Sequence, residues 1–314
     1  MELIRGLHNL REHHRGCVAT IGNFDGVHLG HQAVLGQLAE KADELCLPVV
    51  LITFEPQPLE YFSHQFDPLS VPPRLMRFRE KIQALRRYAV DRMLCLPFNR
   101  LLAEMSPEDF VQKILVDGLG LRYLVVGDDF RYGSKRAGCF NDLQRAGERH
   151  GFNVVNMHTF EVGGERVSST RIRQALEQGD MSLAEELLGR DYRMSGRVAH
   201  GEKLGRQLGF PTANIHLHRK LSPLQGIFAV EVFGLDREPL RGVASLGTRP
   251  TVNGTKPILE VYLFDFDQDI YGRYIQVSFL HKLRDEERFD SLDALIAQIK
   301  KDVEDAKAWF GKKR

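Results

Sequence analysis

Apolar positions along this chain fall into two textures that change near residue 189. In the first, short apolar runs alternate with helical spacing. Cys17-Val18-Ala19-Thr20-Ile21 reads as a strand, and Leu35, Leu38, Ala42 and Leu45 then share one helix face. The run 48–54 predicts a second strand, and Leu75, Phe78, Ile82 and Leu85 a second helix. A short strand follows at 93–96, then a helix start at Ser106-Pro107-Glu108-Asp109, where serine caps and proline takes the first helical position. Two more strands are expected at 124–126 and 154–155. Strands alternating with helices imply right-handed crossovers and a mostly parallel sheet, whose ligands sit at the carboxyl ends of the strands. The segments after residues 21, 54 and 126 fall there.

In the second texture, strand-like runs at 193–199, 213–217, 226–233, 242–246, 257–264 and 274–279 are punctuated by glycine and proline. About six short antiparallel strands suggest a small closed barrel. A final helix, which Asp290 can cap, carries Leu292, Leu295, Ile296, Ile299, Val303 and Phe310 on one stripe. The expectation is an α/β domain over residues 1–186 and an all-β six-stranded barrel with a C-terminal helix over 187–314. Ser182 and Glu185 are read as a capping box opening the helix just before the boundary.

Composition changes this picture little. The 314 residues supply two cores, and a net charge of +1 gives no case for a nucleic-acid or membrane surface, so anion binding must be local. No apolar run approaches the ~20 residues that span a bilayer, and residues 1–15 lack the apolar segment of a secretory signal. Cys17, Cys46, Cys95 and Cys139 form no CxxC pair. Buried free thiols in a reducing compartment are expected, and with them a cytoplasmic location. With no long apolar seam, the expected state is a monomer or weak self-association.

The strongest local signal is Gly22-Asn23-Phe24-Asp25-Gly26-Val27-His28-Leu29-Gly30-His31. Glycines at 22, 26 and 30 let the backbone approach a phosphate, and the helix N-terminus that follows offers N–H groups and a positive dipole end. His28 and His31 share a face there and can donate to a triphosphate and its leaving pyrophosphate. The rivals are a zinc site, which would use histidines four apart and a third ligand, and a structural turn, which needs no pair of histidines. A second segment, Val167-Ser168-Ser169-Thr170-Arg171-Ile172-Arg173, opens a helix with three hydroxyls and two arginines. Any one serine there is an ordinary cap, but the set adds anion-binding capacity.

In the second half, Gly201, Gly205 and Gly209 punctuate a loop that lacks the lysine and helix of a P-loop. Thr212 and Asn214, two apart on a strand, point to one face, where a hydroxyl and an amide oxygen can ligate magnesium carrying ATP phosphates. Alone, this is also an ordinary turn into a strand. Glu260 interrupts the apolar run 258–264. A buried carboxylate is costly or driven neutral, and a raised pKa suits a general base; the alternative is a salt bridge to Arg249 or Arg284.

HxGH after the first strand with SSTxxR before a late helix resembles the nucleotidyltransferase superfamily. Together with Phe54-Glu55-Pro56-Gln57-Pro58, the loop 127–138, and the GRxLGFPTAN, SLGTRPTV, EVYLFDF and FLHKLR segments, nearly the whole chain closely resembles the bacterial bifunctional riboflavin kinase/FAD synthetases. The resemblance implies a Rossmann-like nucleotidyltransferase domain, mostly parallel, followed by a Greek-key barrel. It implies ATP held by Gly22, Phe24, Gly30, Ser168, Ser169, Thr170 and Arg173 in the first site, with His28 and His31 catalytic. In the second it implies ATP at Gly201, Gly205 and Gly209, Mg2+ at Thr212 and Asn214, and Glu260 as base. Flavin contacts fall to Asp129, Arg131 and Arg284. Riboflavin, FMN and ATP are the implied substrates and FAD the product. The rival readings are an enzyme with one of the two activities, or a flavin- or nucleotide-binding regulator without turnover.

Overall fold

A computed structural model describes residues 1–66, 71–127, 129–157, 159–201, 205, 208–251 and 254–312. Asp128, the loop positions 202–204, 206 and 207, and Val252 lie outside them. The chain forms two compact units, Met1–Pro72 with Lys81–Val167 and Pro73–Glu80 with Ser168–Arg314.

The first unit is built on strands β1 (Glu2–Arg5), β2 (Cys17–Ile21), β3 (Val49–Glu55), β4 (Arg92–Pro97), β5 (Leu121–Gly127) and β6 (Asn153–Met157), in the order β1-β4-β3-β2-β5-β6, with a two-stranded ribbon, β7 (Glu161–Val162) and β8 (Glu165–Arg166), after them. Every described neighbouring pair is parallel. Central strands of such a sheet are covered on both faces, which is why β2 is buried throughout and reads as a continuous apolar run. Chain order reverses between β2 and β5, so the segments leaving their carboxyl ends flank a crevice. The first segment runs into helix α1 (Leu29–Leu45), which buries Val34, Leu35, Leu38 and Ala42; the second runs into the loop toward α6 (Phe140–His150), and between α1 and α6 in the chain come α2 (Pro58–Phe66), α3 (Phe78–Leu85), α4 (Arg100–Ala103) and α5 (Pro107–Phe110). Leu45 lies outside the expected stripe, on the exposed side. Strand β1 was not expected, since only Ile4 of its four residues is buried and the periodicity is too short to register.

The second unit holds β9 (Tyr192–Ala199), β10 (Thr212–His216), β11 (Gly226–Phe233), β12 (Leu240–Thr251), β13 (Gly254–Leu263) and β14 (Tyr274–Arg284). They close in the order β10-β13-β12-β11-β14-β9, all antiparallel. The consecutive strands β11, β12 and β13 with β14 returning beside β11 make a Greek key. Helix α7 (Ser169–Gln178) and helix α8 (Met181–Leu188) belong to this unit, because α8 buries Met181, Ala184, Leu187 and Leu188 and packs on β9 and β14. Asp180, not Ser182, caps α8: its carboxylate accepts from the Leu183 N–H. The last helix, α9 (Leu292–Lys312), is capped by Ser291, whose hydroxyl accepts from the Ala294 N–H, rather than by Asp290. Ala306 and Phe310 of α9 complete a core with Ile227, Ala229 and Val243, while Leu292 is exposed.

The cysteines are all free, but only Cys17 and Cys95 are buried; Cys46 ends α1 in the left-handed conformation and is exposed. Burial pushes the Cys17 thiol up to about 12, so it packs as a small apolar side chain.

Candidate functional sites in the two units

In the first unit, His28 is the N-cap of α1, its Nδ1 accepting from the His31 N–H at 3.4 Å. The cap turns the imidazole back over the first turn, so the two rings stack, centroids 3.6 Å apart and 21° from parallel. Phe24 continues the stack on the other face of His31, at 4.4 Å. A Cβ on Gly30 would press to 3.2 Å from His28 Nδ1 and 3.5 Å from the Val167 carbonyl oxygen, so the third glycine keeps room for the ring. His28 is 6 % exposed and Phe24 3 %. The result is a rigid three-ring wall at a helix N-terminus, at the crevice where the sheet order reverses.

The loop after β5 folds around Tyr132, which is 6 % exposed, bridges Gly138 and stacks against Phe130. Burial, then the nearby Asp142, pushes the Tyr132 phenol up to about 12. Asp129 is exposed and pairs with Arg166 at 3.1 Å; Arg131 is exposed and donates to the Phe130 carbonyl. The segment after β3 carries a feature the sequence reading missed. Tyr61 and Phe62 of α2 (Pro58–Phe66) gather edge-on around Phe98, with Phe54 at the strand end. Phe62 stays 39 % exposed. The signal was the aromatic spacing Phe54, Tyr61, Phe62, but Phe98 joins from a different strand end.

In the second unit, strand register makes the site. Asn214 on β10 is directly opposite Glu260 on β13, which is directly opposite Ser245 on β12. Opposed residues of antiparallel strands project to one side, so these three form a row, with Thr212 and Tyr262 forming the next. All line a cleft of about 450 Å³ whose far wall comes from α9, through Leu295, Ile299 and Val303. Along β13, Leu259, Val261 and Leu263 are buried while Ile258, Glu260 and Tyr262 are half-buried. The strand therefore has one core face and one cleft face, not the two core faces its apolar run suggested. The Arg249 side chain lies outside the described residues, and Arg284 is engaged elsewhere. Its Nε and Nη2 donate to the two carboxylate oxygens of Asp302 on α9, each at 2.8 Å, and its Nη1 to the Asp285 carbonyl. The Asp302 hydrogen bonds hold the guanidinium firmly charged, raising its pKa further.

The glycine-rich loop meets the row from outside. A Cβ on Gly201 would overlap the Asn214 carboxamide, and one on Gly205 the Phe210 carbonyl oxygen. Gly209 holds φ +84°, a left-handed backbone that favours glycine.

Ser168 caps α7 by accepting from the Arg171 N–H at 3.2 Å, and Ser169 begins the helix. Thr170 and Arg173 line a second cleft of this unit with Gln174, Ser222 and Lys282; Arg173 Nε donates to the Pro73 carbonyl at 2.7 Å. The stretch 219–223 holds a buried ion pair. Arg219 Nη2 lies 2.7 Å from Glu80 Oε2, with side-chain exposures of 3 % and 5 %. Arg77 and the Ser195 N–H and hydroxyl complete the shell of Glu80.

Among the described residues one cluster has metal-ligand geometry: Glu2, His13 and His14. His14 Nδ1 accepts from the Arg11 N–H, so in the neutral ring the proton sits on Nε2, which faces Glu2 at 3.2 Å. That nitrogen has no lone pair to offer a metal, and Arg92 stands 3.7 Å from the same carboxylate.

A family model described as FAD synthetase matches residues 10–171, and one described as riboflavin kinase matches residues 188–310. A bifunctional riboflavin kinase/FMN adenylyltransferase of Haemophilus influenzae is 52 % identical over 310 residues, 99 % of each chain. One of Escherichia coli is 50 % identical over 312 residues, 99 % of this chain and 98 % of that one. A crystal structure described as a macrolide-efflux protein from Streptococcus pneumoniae superposes with a TM-score of 0.80 at 30 % identity, covering 96 % of this chain and 97 % of that one. No helix of the described residues is long and apolar enough to cross a membrane.

Proposed function

The chain belongs to the family of bifunctional riboflavin kinase/FMN adenylyltransferases, and on that premise we propose how its residues divide the two reactions. The activities are phosphorylation of riboflavin to FMN and adenylylation of FMN to FAD, both using ATP. The kinase reaction falls to the barrel cleft. Glu260 takes the proton of the riboflavin 5′-hydroxyl as the oxygen attacks the γ-phosphorus of ATP, and ADP leaves. The observation that carries this assignment is the row Asn214–Glu260–Ser245, a carboxylate flanked by polar groups and open to a cleft of ligand size. Thr212 and Asn214 offer the hard oxygen donors that suit Mg2+, and Gly201 keeps the Asn214 carboxamide seated. When bound with ATP, that ion neutralises phosphate charge. Gly201, Gly205 and Gly209 shape the backbone that covers the nucleotide, and Arg284 lines the flavin side of the cleft.

Adenylyl transfer is assigned to residues 1–186. A phosphate oxygen of FMN attacks the α-phosphorus of a second ATP in line and pyrophosphate leaves, so catalysis is positioning and charge stabilisation. His28 and His31 donate to the triphosphate, with Gly22, Phe24 and Gly30 shaping the loop. Ser169, Thr170 and Arg173 are assigned to the same nucleotide; Ser168 serves it as the cap of α7. Asp129 and Arg131 lie on the loop leaving β5, on one side of β2, and the aromatics around Phe98, Phe62 of them exposed, follow β3 on the other. A planar isoalloxazine suits those aromatic faces.

The catalytic modules are assigned to residues 1–186 and 187–314, the enzyme to the cytoplasm, and its state to a monomer or weak self-association. Crystals soaked with ATP test the two-site assignment. Nucleotide density is expected both at the imidazole stack and at Thr212 and Asn214; density at neither would overturn it.

A further inference from the structure

Lys81 is completely buried, 0 % exposed, on helix α3 (Phe78–Leu85), and no other lysine among the described residues is buried to that degree. Removing an ammonium from water is costly, and a plain core position would be filled better by methionine or leucine. Its Nζ donates to the backbone carbonyl of Asn23 at 2.5 Å. That carbonyl stands one peptide before Phe24, whose φ of +48° is the left-handed conformation an aromatic residue rarely adopts. The turn aims the Phe24 ring at His31, and His31 stacks on His28. The Phe24 ring lies close over Gly22, where an added Cβ would stand 3.3 Å from it.

We propose that Lys81 is a positioning residue for FMN adenylylation. It pins the Asn23 carbonyl, which fixes the strained turn at Phe24, which in turn holds the two imidazoles at the angle the triphosphate needs. Being fully buried, it acts through the loop backbone. The Nζ–H bond to the carbonyl helps hold the loop in a sparsely populated conformation. The inference rests on the assignment of adenylyl transfer to His28 and His31.

The test uses the full-length enzyme with FMN and MgATP, following FAD. Lys81→Met keeps the stem and removes the donor; kcat is expected to fall roughly ten- to hundred-fold, the loss that a misplacement of about 1 Å brings. KM for FMN should stay within about twofold and the riboflavin kinase rate should not change. A merely structural role would lower the amount of active enzyme and depress both reactions or the melting temperature, without this split. Lys81→Gln, which retains a neutral donor, should recover part of the lost kcat. In a double-mutant cycle, Phe24→Leu should cost less in the Lys81→Met background than in the wild type. Wild-type kcat in Lys81→Met, or strictly additive losses in the cycle, overturns the proposal. If Lys81→Met does not fold, Phe24→Leu alone decides, because wild-type kcat in that variant removes the route from lysine to imidazole. His31→Ala is the separate control: if it still makes FAD at the wild-type rate, the histidine assignment fails first, and the Lys81 result is then read as evidence about the loop alone.

Discussion

Asn214 and Glu260 oppose each other directly across an antiparallel strand pair, so an amide and a carboxylate project into one cleft from neighbouring backbones. Their relation is set by hydrogen-bonded register, not by loop conformation, and a one-residue slip of either strand would turn its own residue into the core. Replacing Glu260 with Gln preserves shape and removes the proposed base. FMN formation from riboflavin should fall by about 100-fold or more, while conversion of supplied FMN to FAD stays at the wild-type rate. Chromatographic separation of flavins checks it, and equal loss of both reactions in a folded protein would contradict separate sites.

The reverse dissociation is expected at His31. With Ala there, the ring between Phe24 and His28 is gone, and with it the donor to the triphosphate proposed for His31. FAD formation should drop by about 100-fold, and riboflavin should still be converted to FMN, which then accumulates.

Asp302 is the hinge pin between β14 and α9. Its carboxylate takes two bonds from Arg284 and one from Gln298, and is 4 % exposed. Asp302→Asn leaves the guanidinium facing an amide that cannot accept both bonds, and stability should fall by about 3 kcal/mol. The helix wall of Leu295, Ile299 and Val303 then loosens, so KM for riboflavin should rise more than KM for ATP. Fluorescence of Trp309, the single tryptophan and a residue of α9, reports the unfolding.

Acid should weaken the second unit through Glu80. Burial alone would raise this carboxyl, but Arg219, Arg77 and the N–H groups of Arg77 and Ser195 outweigh it and hold the pKa below its ordinary 4.5. A depressed folded pKa means stabilisation that is complete above the unfolded value and lost as pH falls through the folded one. Glu80→Gln should therefore be less stable than wild type at pH 7, by about 3–5 kcal/mol, with the gap closing as pH falls below 4.5. A gap independent of pH would show that the charge of Glu80 does not matter.

Much of this was legible in the residues. The strand cores, the histidine pair and the six barrel strands follow from apolar period and glycine spacing, which are local properties. The parts that escaped depend on distant partners. Lys81 sits three after Phe78 and one before Ile82, on the apolar face of its helix, and the Asn23 carbonyl to which it donates lies 58 residues earlier. Arg219 and Glu80 are separated by 139 residues, so each looks like an ordinary surface charge until the chain folds. Glu260 was recognised as anomalous, but the open face that makes it accessible depends on α9, which lies beyond the strand's own pattern. Four residues of β1 were too few to announce themselves, though they finish the sheet.

That short edge has a consequence for handling the protein. A barrel closed on itself presents no row of bare amide and carbonyl groups, whereas an open sheet ends in two such rows. Here β1 covers one flank of β4, and it is only four residues long, with Glu2 and Arg5 exposed. Brevity and charge make it a poor template for a second molecule. Trimming the first five residues would bare β4, whose interior Met93-Leu94-Cys95-Leu96 is entirely apolar, and would convert a well-behaved flank into a sticky one.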